Sequence, residues 1–397
     1  MKRELKEFLL KYRDADPAGL SLSLAGKPLP FPLREAVMQL ECRQRSRGKL
    51  PYFLSCGEFR FPDALSAEQA TDERVARYHA SLTGGGKRVV DVTAGLGIDA
   101  MSMARAGCRV TAVELDPARA GALRENAQTL GIDMEVRQGD GVEYVRSLTE
   151  EADLIFIDPA RRDSHGRRTY GFADCTPDLT AIKSLLLSRC SRLMVKASPL
   201  LDITQILREL PESRCLRVVA CAGECKEILI ELTGDAGSGG RPGVMEAVEI
   251  SREGEARVFS VPAGEGASAR LLEGELRAGM YMYEPSAAVM KLAPWGELCR
   301  RFGGVGKLDV STHLFAGREL HEDFPGRVMR ISAIPSRREM KGLRGERLNV
   351  ATRNHPMTPA QISARYGLLP SPTGTRFLYG ARVKGKPVLL LGEKLSG

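Results

Sequence analysis

The sequence predicts an α/β fold built on a largely parallel sheet, and three observations carry that expectation. Residues 88–100 read R-V-V-D-V-T-A-G-L-G-I-D-A, an apolar β-branched run that breaks at Gly95 and Gly97 and passes into a helix pattern. Strand and helix patterns then alternate, and four strands end at acids: Asp91, Glu114, Asp140 and Asp158. An antiparallel hairpin pattern closes the series.

The first observation describes a buried strand, a tight turn and a helix N-terminus. Glycines suit such a turn because a Cβ would block a ligand from approaching the backbone. The spacing is D-x-x-x-G-x-G, not the G-x-G-x-x-G that cradles a pyrophosphate. Asp91 sets a carboxylate beside the turn, which suits a cationic ligand better than a phosphate. The second strand, Arg109–Glu114, ends in an acid 17 residues after Gly97. That acid could accept hydrogen bonds from both hydroxyls of a ribose, or stand as a solvated loop acid. A helix over Pro117–Leu130 follows, with Pro117 at its start and Gly131 past its end. A third strand, Met134–Arg137, leads to Gly139-Asp140-Gly141, where Asp140 could also serve as a helix N-cap. The fourth strand, Ala152–Ile157, runs into Asp158-Pro159-Ala160-Arg161-Arg162, and the fifth spans Ser191–Ala197. Leu216–Cys221 and Glu227–Thr233 form the hairpin, turning through Gly223 and Glu224.

The flanking regions divide the 397-residue chain further. Residues 1–84 carry helix patterns at 3–13, 31–47 and 66–82, with a Leu/Ser/Pro-rich connection between them. The α/β domain occupies 85–264, including a Gly-rich break at 234–243 and a strand pair at 244–251 and 256–261. Residues 265–322 form a small subdomain. Residues 323–397 read strand (327–334), helix (336–343), strand (346–352), helix (358–366) and a hairpin turning at Lys384-Gly385, a small sheet with helices on one face.

Composition narrows the class. No run of about 18 apolar residues offers a membrane span. The charged start Met1-Lys2-Arg3-Glu4-Leu5-Lys6 is followed by no secretory apolar core. Nine scattered cysteines, of which only Cys221 and Cys225 are close, point to reduced thiols in the cytoplasm rather than a metal site. Net charge is +8, but residues 325–394 hold 14 Lys/Arg against Glu339, Glu346 and Glu393, a local balance of +11. A basic module of this kind suits a polyanionic partner, most plainly RNA, or a solubilising surface. Within it the 336–343 helix carries Arg337, Arg338 and Lys341, with Arg344 just beyond. Residues 43–53 mix Arg43, Arg45, Arg47 and Lys49 with Tyr52 and Phe53. Such a mixture either holds single-stranded nucleic acid or is a helix end with a core-packing aromatic pair.

The D-x-x-x-G-x-G turn and the order of acid-tipped strands resemble those of class I S-adenosylmethionine (SAM) methyltransferases, with their Rossmann-like sheet. E-Q-A-T-D-E-R-V-A-R-Y, V-D-V-T-A-G-L-G-I-D, D-P-A-R-R, Y-E-P-S-A-A-V-M-K and the basic tail from F-P-G-R-V resemble a bacterial group of methyltransferases with a C-terminal THUMP-like domain. The likeness covers nearly the whole chain and implies small C-terminal α+β domains, ferredoxin-like and THUMP-like. It implies SAM as cofactor, held by Asp91, Thr93, Gly95, Gly97, Glu114 on the ribose, Asp140 on the adenine, and Asp158. It places the helix ahead of the first strand over the methionine end of SAM. THUMP domains elsewhere dock RNA, usually tRNA, which implies a tRNA or rRNA partner.

Amino-methylating relatives end the fourth strand with Asp/Asn-Pro-Pro-aromatic. Here Asp158 and Pro159 are followed by Ala160 and Arg161, so the base-stacking aromatic is missing from its place; Tyr170 or Phe172 could replace it. D-P-A-R also resembles RNA uracil carbon-5 methyltransferases, whose cysteine nucleophile would fall at Ala197, which argues against covalent pyrimidine chemistry. Direct, metal-free methyl transfer remains, with Asp158 and Lys196 as candidate catalytic residues and His165 as a further base candidate. Lys196 could equally reach solvent or pair with Asp158. Arg161, Arg162, Arg167 and Arg168 suit phosphate binding, or pair with Asp163 and Asp174. Three functions stay open: an RNA base methyltransferase, a methyltransferase for a small molecule or protein, and an RNA-binding protein on a methyltransferase fold that no longer reacts.

Overall fold

A computed structural model describes residues 3–161, 171–234, 243–263, 268–371 and 374–396. Contacts divide the chain into two compact units: Met1–Cys221 with Lys226–Gly243 and Ile250–Ala256, and Ala222–Cys225 with Val244–Glu249 and Arg257–Gly397.

The first unit opens with helices α1 (Arg3–Lys11), α2 (Pro17–Leu24), α3 (Leu33–Ser46), α4 (Pro51–Ser55), α5 (Ala64–Gln69) and α6 (Glu73–Thr83). Helix α2 falls within the Leu/Ser/Pro-rich connection. Its Leu20-Ser21-Leu22-Ser23-Leu24 alternates with period two, so no helical stripe shows, yet Pro17 starts it and the Asp16 carboxylate caps it through Gly19 N (2.7 Å). The helix expected over 66–82 is two helices. Asp72 caps α6 through Arg74 N (3.0 Å), and the break at residues 70–72 turns Thr71 inward.

Strands β1 (Arg88–Asp91), β2 (Arg109–Glu114), β3 (Glu135–Gln138) and β4 (Ala152–Ile157) alternate with α7 (Ile98–Arg105), α8 (Pro117–Thr129) and α9 (Gly141–Ser147). A two-residue pair follows, β5 (Ala160–Arg161) with β6 (Cys175–Thr176). Then come α10 (Leu179–Leu187), β7 (Cys190–Ala197), α11 (Ile203–Glu209), β8 (Ser213–Cys221) and β9 (Glu224–Leu232). Within the first unit the strand order is β8-β9-β7-β4-β1-β2-β3. β1 pairs in parallel with β2 and β4, β2 with β3, and β4 with β7; β9 lies antiparallel to β7. Val89, Val90, Ile155, Phe156, Met194 and Val195 are almost wholly buried, as a strand covered on both faces requires. The strand order places the tips of β1, β4 and β7, with Asp91, Asp158 and Lys196, side by side.

The second unit holds a strand pair, β10 (Val244–Ile250) and β11 (Ala256–Pro262), and an eight-stranded sheet. The sheet contains β12 (Tyr281–Pro285), β13 (Gly306–Asp309), β14 (Thr312–Gly317), β15 (Gly326–Ala333), β16 (Arg347–Arg353), β17 (Leu369–Pro370), β18 (Arg376–Val383) and β19 (Lys386–Ser396). Their order is β13-β14-β12-β15-β19-β18-β16-β17. Strands of the 265–322 and 323–397 segments thus share one sheet, joined where Tyr281 opposes Arg330 and Pro285 opposes Gly326. Helices α12 (Ala287–Leu292) and α13 (Trp295–Arg301) follow β12. Helices α14 (Arg337–Gly342) and α15 (Pro359–Tyr366) start on Ser336 and Thr358 capping boxes and bury Met340 and Ile362 against Leu348 and Leu378. The final hairpin turns through Lys384 and Gly385, both at positive φ.

Candidate functional site

Asp91 ends β1 and is 2% exposed; its Oδ1 accepts the Thr93 amide (3.1 Å). The turn that follows closes through Gly97 N to Ala94 O (2.7 Å), with Gly95 at φ +56° and Gly97 at φ +80°. The two glycines do different work. A Cβ on Gly97 would lie 2.1 Å from Leu123 Cδ1 of α8, so that position is closed by packing as well as by backbone. A Cβ on Gly95 would meet nothing within 4 Å, so that side of the turn is open to a ligand.

Glu114, 8% exposed at the tip of β2, braces this turn. Its Oε2 accepts Gly95 N (2.7 Å) and its Oε1 accepts Asp116 N (2.8 Å), and each oxygen keeps a lone pair for a hydroxyl. Asp140 caps α9, its Oδ1 accepting Val142 N (2.7 Å) and Glu143 N (3.2 Å), and the rest of the side chain is exposed. Gly141 follows because a Cβ there would lie 2.1 Å from Val92 O. The Thr93 hydroxyl oxygen accepts the Asp158 amide (2.7 Å), tying the glycine turn to the tip of β4.

Beside that tie the Lys196 ammonium donates to Asp158 Oδ2 (2.6 Å) and Thr71 Oγ1 (3.0 Å). The Thr71 hydroxyl donates to Asp99 Oδ2 (2.5 Å). Asp99 Oδ1 meets His79 Nδ1 (2.8 Å), and His79 Nε2 meets Glu227 Oε1 (2.6 Å). Six side chains from α6, α7, the α5–α6 break, the residue just past β4, and strands β7 and β9 thus form one continuous polar chain. His79 is fully buried, whereas 41% of the Asp158 side chain remains exposed, so the chain runs from the interior to solvent at Asp158.

The electrostatics follow from the partners. Burial alone would strip the His79 proton, but Glu227 and Asp99 outweigh it and raise the imidazole to about 10. Burial would raise Asp99, but His79, Lys196 and Thr71 outweigh it and lower the carboxyl to about 2. Burial would lower Lys196, but Asp158, Asp99 and Glu227 outweigh it and hold the ammonium above its ordinary range. Desolvation raises the Asp158 carboxyl against the opposing pull of Lys196. Burial, then the nearby Asp99 charge, pushes Asp91 well above the usual carboxylate range. Among the described residues no cationic side chain pairs directly with Asp91. A buried acid without a counter-ion beside an open glycine turn fits a cationic ligand.

The structure brings Asp91, Thr93, Gly95, Gly97, Glu114, Asp140, Asp158 and Lys196 to the C-terminal end of one sheet. Arg161 falls in β5, and Arg162, His165, Arg167, Arg168 and Tyr170 lie outside the described residues. Phe172 is 1% exposed and packs in the core, which removes it as a base-stacking side chain. Arg337, Arg338, Lys341 and Arg344 are exposed on and after α14 in the second unit. The 43–53 run divides: Arg43 donates to the carbonyls of Gly57 and Phe59, Phe53 is buried, and Arg105 covers Tyr52 at 3.5 Å. Sequence reasoning missed Thr71, His79, Asp99 and Glu227. Asp99 stands two residues past Gly97 in the first turn of α7, and Glu227 is an acid at the head of the apolar run Ile228–Ile230, signals that could have found these two.

Comparison with known proteins agrees with this geometry. Residues 60–165 match a family described as "Putative SAM-dependent methyltransferase", and residues 281–325 match a ferredoxin-like domain. An "Uncharacterized S-adenosylmethionine-dependent methyltransferase" of Mycobacterium tuberculosis is 28% identical over 285 residues, 70% of this chain and 72% of that protein. Ribosomal RNA small subunit methyltransferase J of Aeromonas hydrophila is 36% identical over 97 residues, 22% of this chain and 39% of that protein. The crystal structure of a "putative methyltransferase" from Porphyromonas gingivalis W83 superposes with a TM-score of 0.83 at 28% identity, covering 99% of this chain and 98% of that one. Among the described residues no helix is long and apolar enough to cross a membrane, and no group of three or more His, Cys, Asp or Glu could hold a metal ion. With its sheet order, its open glycine turn and these likenesses, the chain is an S-adenosylmethionine-dependent methyltransferase with S-adenosylmethionine as its cofactor.

Proposed function

We propose that the enzyme methylates a base of ribosomal or transfer RNA by direct, non-covalent transfer. The observation that carries this reading is the Asp158–Lys196 pair (2.6 Å) beside the turn of Gly95 and Gly97. SAM supplies an electrophilic methyl group. Asp91 offers its carboxylate to the cationic cofactor, Glu114 its remaining lone pairs to the ribose, and Asp140 its exposed edge to the adenine. Asp158 keeps its other oxygen to accept a hydrogen bond from the amino or imino group of the acceptor, and Lys196 holds that carboxylate ionised and fixed. Alanine at position 197 leaves no thiolate there to form a covalent adduct.

An RNA substrate is supported by the likeness to ribosomal RNA small subunit methyltransferase J and by the +11 balance of residues 325–394. Arg337, Arg338, Lys341 and Arg344 present that charge as a THUMP-like docking surface would. Such a substrate puts the reaction in the cytoplasm. Nucleoside mass spectrometry of total RNA from a deletion strain tests the reading. One methylated nucleoside should disappear and return on complementation; an unchanged nucleoside profile overturns it.

A further inference from the structure

Beside Lys196 the first unit contains a cleft of about 650 Å³, within the range of ligand-binding clefts at ~300–1,000 Å³. Arg45, Lys49, Arg74, Lys196 and Lys226 line it against Glu68, Asp72 and Glu227. Most of these charges have a partner. Arg74 holds Asp72 (2.6 Å), His79 holds Glu227 (2.6 Å), Asp158 holds Lys196 (2.6 Å) and Glu41 holds Arg45. Among the described residues Lys49 has no carboxylate partner; its ammonium donates to the carbonyls of Glu68 (2.7 Å) and Ala67 (3.5 Å). Exposed Lys226 lines the same wall. Burial first, and then the charge of Lys196, pushes Lys49 down to about 8; Lys226 adds to the fall, while Asp72 and Glu68 oppose it. The charges of Lys196 and Lys226 thus both disfavour a proton on Lys49, a cost that an incoming anion beside its ammonium relieves.

None of Gly95, Gly97, Glu114 or Asp140 lines the cleft, and its wall reaches Asp158 through a single side-chain contact. We infer that this cleft binds a backbone phosphate of the RNA next to the nucleotide presented to Asp158, with Lys49 and Lys226 as its ligands. The inference rests on the RNA reading and deepens it. Arg45 and Lys49 come from the 43–53 run, whose other cations and aromatics hold the protein's own framework. A phosphate seated there would fix the acceptor strand relative to Asp158.

The test uses the full-length enzyme, Lys49→Met and Lys226→Glu, and a short fluorescein-labelled single-stranded RNA followed by anisotropy. Methionine fills the volume of Lys49 without its buried charge, and a melting curve checks that both variants fold. Each variant should raise the RNA Kd ~10-fold and lower the slope of log Kd against log salt by about 0.7, one phosphate contact on a single strand. SAM affinity by calorimetry should not change. Wild-type affinity should fall as pH rises through about 8, where Lys49 loses its proton, and Lys49→Met should lack that step. Wild-type binding with unaltered variants overturns the phosphate site and leaves the RNA reading standing. Variants that lose SAM affinity instead assign the cations to the carboxylate of the cofactor and overturn it too. A wild-type enzyme that binds no RNA defeats the RNA reading itself.

Discussion

His79 Nε2 stands 2.6 Å from Glu227 Oε1, although 148 residues separate them in the chain. The contact joins α6, which precedes the first strand, to β9, which comes late in the sheet. With Asp99 at the other ring nitrogen, the imidazolium sits between two buried carboxylates.

This pairing makes stability depend on pH in a defined direction. His79 holds its proton to about 10 when folded and to about 6.5 when unfolded. The folded state binds the extra proton between those values, so the contribution is complete below pH 6.5 and is lost as pH rises toward 10. His79→Gln should cost ~3 kcal/mol in the lower range, the scale for breaking a buried ion pair. The gap between variant and wild type in urea unfolding should narrow as the pH approaches 10. A gap that does not change with pH removes the imidazolium from the account.

The two glycines of the turn should separate stability from binding. Gly97→Ala forces a Cβ into Leu123 and should destabilise by ~1–3 kcal/mol, the scale of overpacking. Gly95→Ala has open space and should cost only ~1–2 kcal/mol of backbone strain, while placing a methyl where the ligand approaches. Calorimetry should show lost SAM affinity in Gly95→Ala while most of its unfolding free energy remains. Equal SAM binding in Gly95→Ala and wild type would move the cofactor off this turn.

Glu114→Ala should weaken SAM binding by ~2 kcal/mol, the scale for losing a charged acceptor. Glu114→Gln should lose less, since its amide oxygen can still accept one backbone N–H. Calorimetry reads both, and unchanged affinity in the alanine variant rules out the ribose contact.

Asp158→Ala should leave SAM binding nearly unchanged and lower turnover by ~10²-fold or more, the scale of a positioned acid–base group. Normal turnover on the identified RNA would refute the role, and an adduct trapped with a fluorinated pyrimidine would refute the non-covalent mechanism.

Docking by the basic module calls for charge reversal rather than truncation. A cut near residue 322 removes β15, the antiparallel partner of β12 from Tyr281 to Pro285, and so damages the sheet itself. Arg337→Glu with Arg338→Glu and Lys341→Glu leaves that sheet whole, because all three side chains are exposed. Filter binding of tRNA should weaken and lose salt dependence while SAM calorimetry stays constant. Unchanged tRNA affinity would assign docking elsewhere.

What the sequence disclosed was local or periodic. The D-x-x-x-G-x-G turn needs only its own backbone, and the buried strands carry short apolar runs such as Val89-Val90 and Leu154–Ile157. The α14, α15 and Lys384-Gly385 elements likewise announce themselves through caps and turn residues. The polar chain was hidden because its members meet only through strand order. Glu227 reaches His79 because β9 folds back beside β7, with Lys196 opposite Leu229 and Ala197 opposite Ile228. Thr71 was masked by a helix pattern running across a break that only the cap at Asp72 reveals. Asp140 shows the converse: its capping bonds follow from sequence spacing alone, and they occupy only one of its two oxygens.

The bond from the Asp158 amide to the Thr93 hydroxyl is 2.7 Å long and belongs to the protein alone. It fastens the loop after β1 to the loop after β4. A methyl donor seated on the first and an acceptor seated on the second would inherit their spacing from that rivet, before either arrives. With donor and acceptor so seated, the gap a methyl group must cross would be set where Thr93 meets Asp158, by the framework rather than by the reactants.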